Sequence, residues 1–208
     1  MIKRIVFDID YTLVKPNYDK EYLFLQEYVA KDNDYFIYHM YEILKEYEDS
    51  NRKYEISSFL NHVNKYSGNV KLDEKFFYDW IDYSAKLDEQ NVDDIHTLLS
   101  YLRNKYELVA LSNWIREAQI KKLEQVDLLK YFSAVYGGDD GLKPYLESYQ
   151  MAIGNHEPEE CIMIGDNLDM DVIGALNAGL HAFHYTNGKE VDHNYQKIKC
   201  LSELKELL

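Results

Sequence analysis

The chain reads as an α/β protein: a doubly wound parallel sheet carrying an inserted helical domain. Three observations predict this. From about Asp93 to the C-terminus, short apolar runs alternate with stretches of helical periodicity, the pattern of successive βα units. Several of those runs end in polar or charged residues, and open α/β sheets carry their sites at the carboxyl ends of the strands. Finally, about 80 residues separate the first apolar run, Ile5-Val6-Phe7, from the next βα pattern. A parallel crossover needs only about a dozen residues, so this interval must hold an extra unit.

The elements follow in order. A strand covers about 3–7, and its apolar run suits burial on both faces. Four helical stripes fill the insert: Tyr22, Leu25 and Val29; Phe36, Met40, Leu44 and Tyr47; Phe59, Leu60 and Val63; Phe76, Phe77, Trp80 and Ile81. Asn51-Arg52-Lys53 and Ser67-Gly68-Asn69 punctuate them as turns. Polar links at 14–17 and 87–90 bound the insert, so 1–14 and 92–208 form the core domain and 15–91 the helical one. In the core, helices are expected at 93–105, 116–125, 144–155 and 170–178, strands at 108–111, 132–136, 161–164 and 182–185, and a closing helix at 201–208. The helix at 116–125 should turn Ile120 and Leu123 inward.

Composition narrows the function. Of 208 residues 46% are hydrophobic, enough for a sizeable core, and the net charge is −14. That charge argues against nucleic acid and against an anionic membrane as partners, since both demand basic patches. An anionic substrate would need a local cation to offset the global field. Two cysteines, Cys161 and Cys200, show no zinc or disulfide spacing, and Cys161 reads as a small core residue. There is no signal-peptide pattern at the first residues and no apolar run near the ~18 residues of a membrane span. A reducing cytoplasm is the expected setting. The twenty tyrosines read as amphipathic packing with a wet hydroxyl, and the seven histidines as structural or exposed.

The most informative stretch is Asp8-Ile9-Asp10-Tyr11-Thr12-Leu13. Two carboxylates at the end of a buried strand raise each other's pKa unless a cation or shared proton relieves them, which points to a metal or catalytic site. Three further segments converge with it. Leu108-Val109-Ala110-Leu111 ends in Ser112-Asn113; Lys143-Pro144 follows the loop Gly137-Gly138-Asp139-Asp140-Gly141; Ile162-Met163-Ile164-Gly165 ends in Asp166-Asn167-Leu168-Asp169-Met170-Asp171. Alone, Ser112-Asn113 would be an ordinary helix cap and Lys143 a loop lysine. Four such segments in register over some 160 residues outweigh those readings.

With these motifs the chain resembles the haloacid dehalogenase-like hydrolase superfamily, in its phosphatase-type branch with a helical cap of the first type. The region from Ser112 to Gly179 has a flavour of the pyrimidine 5′-nucleotidase-like branch. The resemblance implies a Rossmann-like core and a Mg²⁺-dependent phosphomonoesterase acting on a small-molecule phosphate ester through an aspartyl-phosphate. It makes Asp8 the nucleophile and Asp10 the general acid and base. It assigns Mg²⁺ to the side chains of Asp8 and Asp166 and the backbone carbonyl of Asp10. Ser112 and Asn113 would bind the phosphoryl group, Lys143 would neutralise Asp8 and that group, and Asp171 and Thr12 would stand behind these ligands. A monomer or small homo-oligomer is expected.

Dehalogenases of the superfamily lack the second aspartate, so Asp10 argues against dehalogenation. A sugar-phosphate mutase keeps both and stays open. From a different class, a phosphoacceptor or binding protein would hold phosphate on Asp8 without turnover, but receiver-type modules lack a helical insert of this size. Two departures stand out: Tyr11, where a glycine or another small or polar residue is common and which could line the pocket mouth, and Tyr145 in place of an aspartate. Arg52 and Lys53 read as a solvated turn in preference to a contact for a substrate's anionic tail.

Overall fold

A computed structural model describes residues 1–29 and 33–208. Its core is a six-stranded, all-parallel sheet in the order β3-β2-β1-β4-β5-β6. The strands are β1 (Arg4–Phe7), β2 (Glu107–Leu111), β3 (Ala134–Tyr136), β4 (Cys161–Gly165), β5 (His181–Tyr185) and β6 (Lys197–Ile198). β1 lies centrally, with Val6 opposite Val109 of β2 and Met163 of β4. The order reverses at β1, so the gap between β1 and its neighbours is the switch point where such sheets carry their sites.

Strand alternation splits the buried residues between two faces. Ile5, Phe7, Leu108, Ala110, Ile162 and Ile164 face one way, onto Leu98, Leu99 and Leu102 of α6 (Asp93–Leu102) and the C-terminal Leu201 and Leu204. Val6, Val109, Leu111, Cys161 and Met163 face the other, onto Tyr149, Ala152 and Ile153 of α8 (Leu146–Ile153) and Ala175. Both faces of a parallel sheet are thereby covered, which explains the continuous apolar runs.

Five helices lie between β1 and α6 among the described residues: α1 (Tyr18–Tyr28), α2 (Asp34–Tyr38), α3 (Met40–Ser50), α4 (Ile56–Val63) and α5 (Glu74–Ser84). They build an aromatic core of their own around Phe24, Phe36, Tyr47, Phe59, Phe76 and Trp80. Ile115, Ala118 and Leu142 of the α/β core pack into it. The second expected stripe is split by a break at His39, between α2 and α3. Phe36 and Tyr47 are buried, but Met40 and Leu44 are only half-buried, and Ile43 takes the core position instead.

The two links bounding these helices run side by side. Pro16 and Leu87 form an antiparallel bridge. The Asn17 amide donates to the Lys86 carbonyl at 2.9 Å and the Asp88 amide to that of Lys15 at 3.1 Å. A second junction lies at the turn after α3, where the Leu142 amide donates to Arg52 O at 2.8 Å and the Tyr54 amide to Gly138 O at 2.7 Å. The Arg52 guanidinium stacks 3.9 Å above the Tyr145 ring. Arg52 and Tyr145, the residue that departs from the common pattern, thus staple insert to core.

In the rest of the chain, α7 (Arg116–Gln125) coincides with expectation, while several ends shift by one to three residues as helix termini do. The expected helix at 170–178 is a π-helical turn over Leu168–Ile173 that passes into α9 (Gly174–Asn177). The closing segment is a short 3₁₀ turn followed by α10 (Leu204–Leu207). Strand β6 has no counterpart in the sequence reading, because two residues are too few to show periodicity. Among the described residues no helix is long and apolar enough to cross a membrane.

Candidate active site

Asp8 follows β1 directly, and its amide donates to the Ile164 carbonyl at 2.9 Å, fixing it to β4. Lys143 Nζ reaches Asp8 Oδ1 at 2.8 Å, Asp171 Oδ1 at 2.5 Å and the Leu111 carbonyl at 3.1 Å. Lys143 is 3% exposed, so its three donors are satisfied without water. Thr12 Oγ1 donates to Asp8 Oδ2 at 3.1 Å. Asp171 is held from both sides, since its Oδ2 also accepts the Asn167 amide at 3.0 Å. It lies so close to β4 that a Cβ on Gly165 would meet its Oδ2 at 2.2 Å, which only glycine avoids.

The Asn113 side chain serves the loop that carries Lys143. It accepts from the Lys143 amide at 2.7 Å and donates to the Lys143 carbonyl at 2.9 Å. It therefore grips that loop. Asn167 is the cap of the π-helical turn, its Oδ1 accepting from Asp169 N and Met170 N at 3.0 Å each. This turn projects Asp171 back toward β4 and leaves Asp166 at the strand end.

The charges are unbalanced. Burial pushes the Asp8 carboxyl up to about 7, against the pull of Lys143 and with a further push from Asp171 and Asp166. Burial, then Asp171, push Asp166 up to about 6. Burial would pull Lys143 down, but Asp171 and Asp8 outweigh it and hold its ammonium above the ordinary lysine range. Carboxylate oxygens of Asp8, Asp166 and Asp171 lie within 4.8 Å of one another. One lysine against three carboxylates leaves excess negative charge among oxygen donors only, a set suited to a hard divalent cation such as Mg²⁺. Asp171 belongs to this group by distance, although both of its oxygens are already engaged.

Asp10 lines the same cleft as Asp8 but has separate partners. Its carboxylate is clamped by Lys122 Nζ, at 2.7 Å from Oδ1 and 2.8 Å from Oδ2. Gln119 Nε2 donates to Asp10 Oδ2 at 2.8 Å and to Ser112 Oγ at 2.7 Å. Neither Gln119 nor Lys122 was expected. They lie three apart on α7, on one helix face, and are 0% and 2% exposed. The sequence reading put Ile120 inward, yet Ile120 is only half-buried. An apolar-periodicity argument cannot find a buried lysine; the signal available was Gln and Lys at i and i+3 flanking the core residues Ala118 and Leu123.

These groups open into a cleft of about 510 Å³ between sheet and insert. Tyr18, Tyr38, Tyr41, Lys45, Glu21 and Glu48 line its far side. Burial raises the Glu21 and Glu48 carboxyls, and Trp80 Nε1 and Tyr54 OH donate to them. The tyrosines read from sequence as packing thus include several that face a cavity. Tyr11 has a left-handed backbone, φ 61°, which explains why a glycine suits this position. Its ring, 43% exposed, lies against that of Tyr18 at 5.8 Å instead of entering the cleft.

A strand-end aspartate at the switch point, a buried lysine bridging it to a second aspartate, and a helical insert over the cleft define a class of α/β hydrolase. The chain belongs to the haloacid dehalogenase-like hydrolase family, whose model matches residues 5–184. Human N-acylneuraminate-9-phosphatase is 32% identical over 126 residues, 58% of this chain and 50% of that protein. The chain thus spans about half the length of the curated relatives it matches. Among solved structures, the magnesium-bound HAD-hydrolase YfnB of Bacillus subtilis superposes with a TM-score of 0.71 at 20% identity, over 99% of this chain and 98% of that one. The L-2-haloacid dehalogenase of Xanthobacter autotrophicus gives 0.72 at 19% identity, over 100% and 98%. At these identities the structural likeness speaks for the fold.

Proposed function

We propose that the protein is a Mg²⁺-dependent phosphomonoesterase that hydrolyses a small-molecule phosphate ester through an aspartyl-phosphate on Asp8. The observation that carries this reading is the pairing of Asp8 with a second carboxylate, Asp10, that faces the same cleft. A dehalogenase needs one carboxylate nucleophile; hydrolysis of a phosphate ester also needs a group to pass a proton to the leaving alcohol and take one from water. The phosphatase name of the human relative supports the same choice.

In this reading Asp8 attacks phosphorus, and the ester oxygen leaves with the proton of Asp10 in its acid form. The Asp10 carboxylate so formed, the form that pairs with Lys122, then takes a proton from the water that opens the acyl-phosphate. Ser112 and the Asn113 amide bind phosphoryl oxygens, and Lys143 offsets charge on Asp8 and on the transferring group. Asp8 and Asp166, with the Asp10 carbonyl, would hold Mg²⁺, and Asp171 and Thr12 would fix Lys143 and Asp8 in place. The metal would lower the repulsion between nucleophile and phosphate. Residues 15–91 serve as the cap domain on a core of 1–14 and 92–208, hinged at the paired links. Tyr18, Glu21, Tyr38 and Glu48 then contact the organic part of the ester.

The test is a phosphatase screen of the purified protein over sugar phosphates, nucleoside monophosphates and an aryl phosphate, with Mg²⁺ or with chelator. Turnover that requires the metal and vanishes in Asp8→Asn is expected. Turnover that survives exhaustive chelation, or dehalogenation of a 2-haloacid without phosphatase activity, overturns the proposal.

A further inference from the structure

Lys122 and Gln119 carry no step in the reading above, yet they touch two of its residues. Burying an ion pair is costly. Each charge loses its hydration, and well-packed apolar residues of the same volume are often the more stable choice. Lys122 is nevertheless placed at 2% exposure, with both oxygens of Asp10 within 2.8 Å. The expense is incurred at the wall of the cleft, which Lys122 itself lines.

Gln119 adds direction. Its Nε2 donates at once to Ser112 Oγ and Asp10 Oδ2. The reversed amide would set an oxygen against the carboxylate, so the contacts define the orientation. Ser112 Oγ therefore accepts from Gln119, and from the Trp114 amide at 3.4 Å. Its single proton is left to donate. The other end of the carboxamide, Gln119 Oε1, is buried with no partner among the described residues. Leaving a buried acceptor unpaired is costly. Bearing that cost is consistent with a side chain oriented for the two contacts its nitrogen makes.

We infer that Lys122 and Gln119 are positioning residues that join Asp10 and Ser112 into one unit. Lys122 fixes the Asp10 carboxylate where the leaving oxygen departs. Gln119 turns the Ser112 hydroxyl toward the phosphoryl group and ties it to Asp10. Lys122 holds both Asp10 oxygens by itself, so the two act chiefly on different parts of the ester: Lys122 through the leaving group, Gln119 through the phosphoryl oxygens. This inference rests on the phosphatase reading, and the experiment separates the two.

Lys122→Met, Lys122→Arg and Gln119→Met are assayed with Mg²⁺ on p-nitrophenyl phosphate, whose leaving group needs little protonation, and on an alkyl phosphate that the wild type turns over. Lys122→Met is expected to lower kcat for the alkyl ester about 10²-fold, within the range of general acid–base catalysis, and for the aryl ester less than about tenfold. Lys122→Arg keeps a cation in reach of Asp10 and should recover at least about a tenth of the alkyl turnover. In an Asp10→Asn background, Lys122→Met should add no further loss, since it acts through Asp10. That double variant removes both charges, so it carries the comparison with Asp10→Asn if Lys122→Met alone does not fold. Gln119→Met should lower kcat/KM equally for both esters.

Equal losses on both esters in Lys122→Met, or an undiminished Lys122→Met loss in the Asp10→Asn background, overturn the role of Lys122. A leaving-group-dependent loss in Gln119→Met, or none, overturns that of Gln119. A wild type inert toward every phosphate ester removes the phosphatase reading and this inference with it; an active wild type with the wrong variant pattern removes the inference alone.

Discussion

Replacing Asp8, the proposed nucleophile, should stabilise the metal-free protein. Asp8 is buried, at 7% exposure, and its carboxyl is pushed from an ordinary 3.8 to about 7. The sign follows from linkage. Between those two values the folded state binds a proton at Asp8 that the unfolded state does not, so stability falls as pH rises through that window. Above about pH 7 the folded protein carries the full cost of the buried charge, at most ~4 kcal/mol for a displacement of that size. In Asp8→Asn that cost is gone, and Lys143 keeps Asp171 as its anion at 2.5 Å. The pull of Lys143 is already contained in that displacement. The net gain at pH 8 therefore reaches at most ~4 kcal/mol, a rise of several degrees in Tm. The assay is thermal unfolding of wild type and Asp8→Asn with chelator at pH 5, 6, 7 and 8. The gap should be small or reversed at pH 5 and widen to a plateau above pH 7. Mg²⁺ should narrow it by stabilising the wild type. A gap independent of pH, or a variant less stable than wild type at pH 8, refutes the reasoning.

Two other predictions concern parts of the molecule away from the chemistry. Burial pulls the Glu107 carboxyl up, but hydrogen bonds from His156, Arg4 and Ser133 outweigh it and hold it at about 2. Its contribution is present above its ordinary 4.5 and lost as pH falls toward 2. Glu107→Gln should therefore cost about 1 kcal/mol at pH 7 after allowance for solvent screening, and chemical denaturation should show the difference closing below pH 4; a difference constant down to pH 2 contradicts it. If residues 15–91 are the proposed cap, adding Mg²⁺ with BeF₃⁻ should slow amide exchange at 14–18 and 87–91, because a mimic that touches both core and cap favours closure. Strand amides such as Val6 and Leu111 should not change, and equal link exchange with the mimic bound would mean that residues 15–91 do not open.

Much of this was legible in the sequence because two periods and one topology generate it. The alternation of apolar runs with helices gives the parallel sheet, and carboxyl-end placement brings Asp8, Ser112, Lys143, Asp166 and Asp171 toward one point. Other features depend on contacts that no local pattern encodes. The stripe of Phe36, Met40, Leu44 and Tyr47 has helical spacing, yet it divides at His39, with Met40 and Leu44 turned to the cleft. The Asn113 side chain is engaged by the backbone of Lys143, thirty positions away, a contact its place beside Ser112 does not announce. Lys122 was hidden because its burial depends on an anion 112 positions earlier in the chain. His184, read as structural or exposed, is buried and contacts the Asp166 carbonyl through Nε2 at 2.9 Å. A histidine on a strand gives no sign of such a partner.

The central claim is that Asp8 is phosphorylated and then hydrolysed. Asp10→Asn should slow the second step, in which water needs a base, and so let the acyl-phosphate accumulate. This variant, mixed with Mg²⁺ and a reactive aryl phosphate, is quenched with borohydride, which reduces an aspartyl-phosphate to homoserine, and digested for peptide mass spectrometry. The account predicts homoserine at position 8 in a fraction approaching one per chain, absent when the ester is omitted and absent in Asp8→Asn. Burst release of the alcohol with residue 8 unmodified, or reduction at any other aspartate, would contradict it.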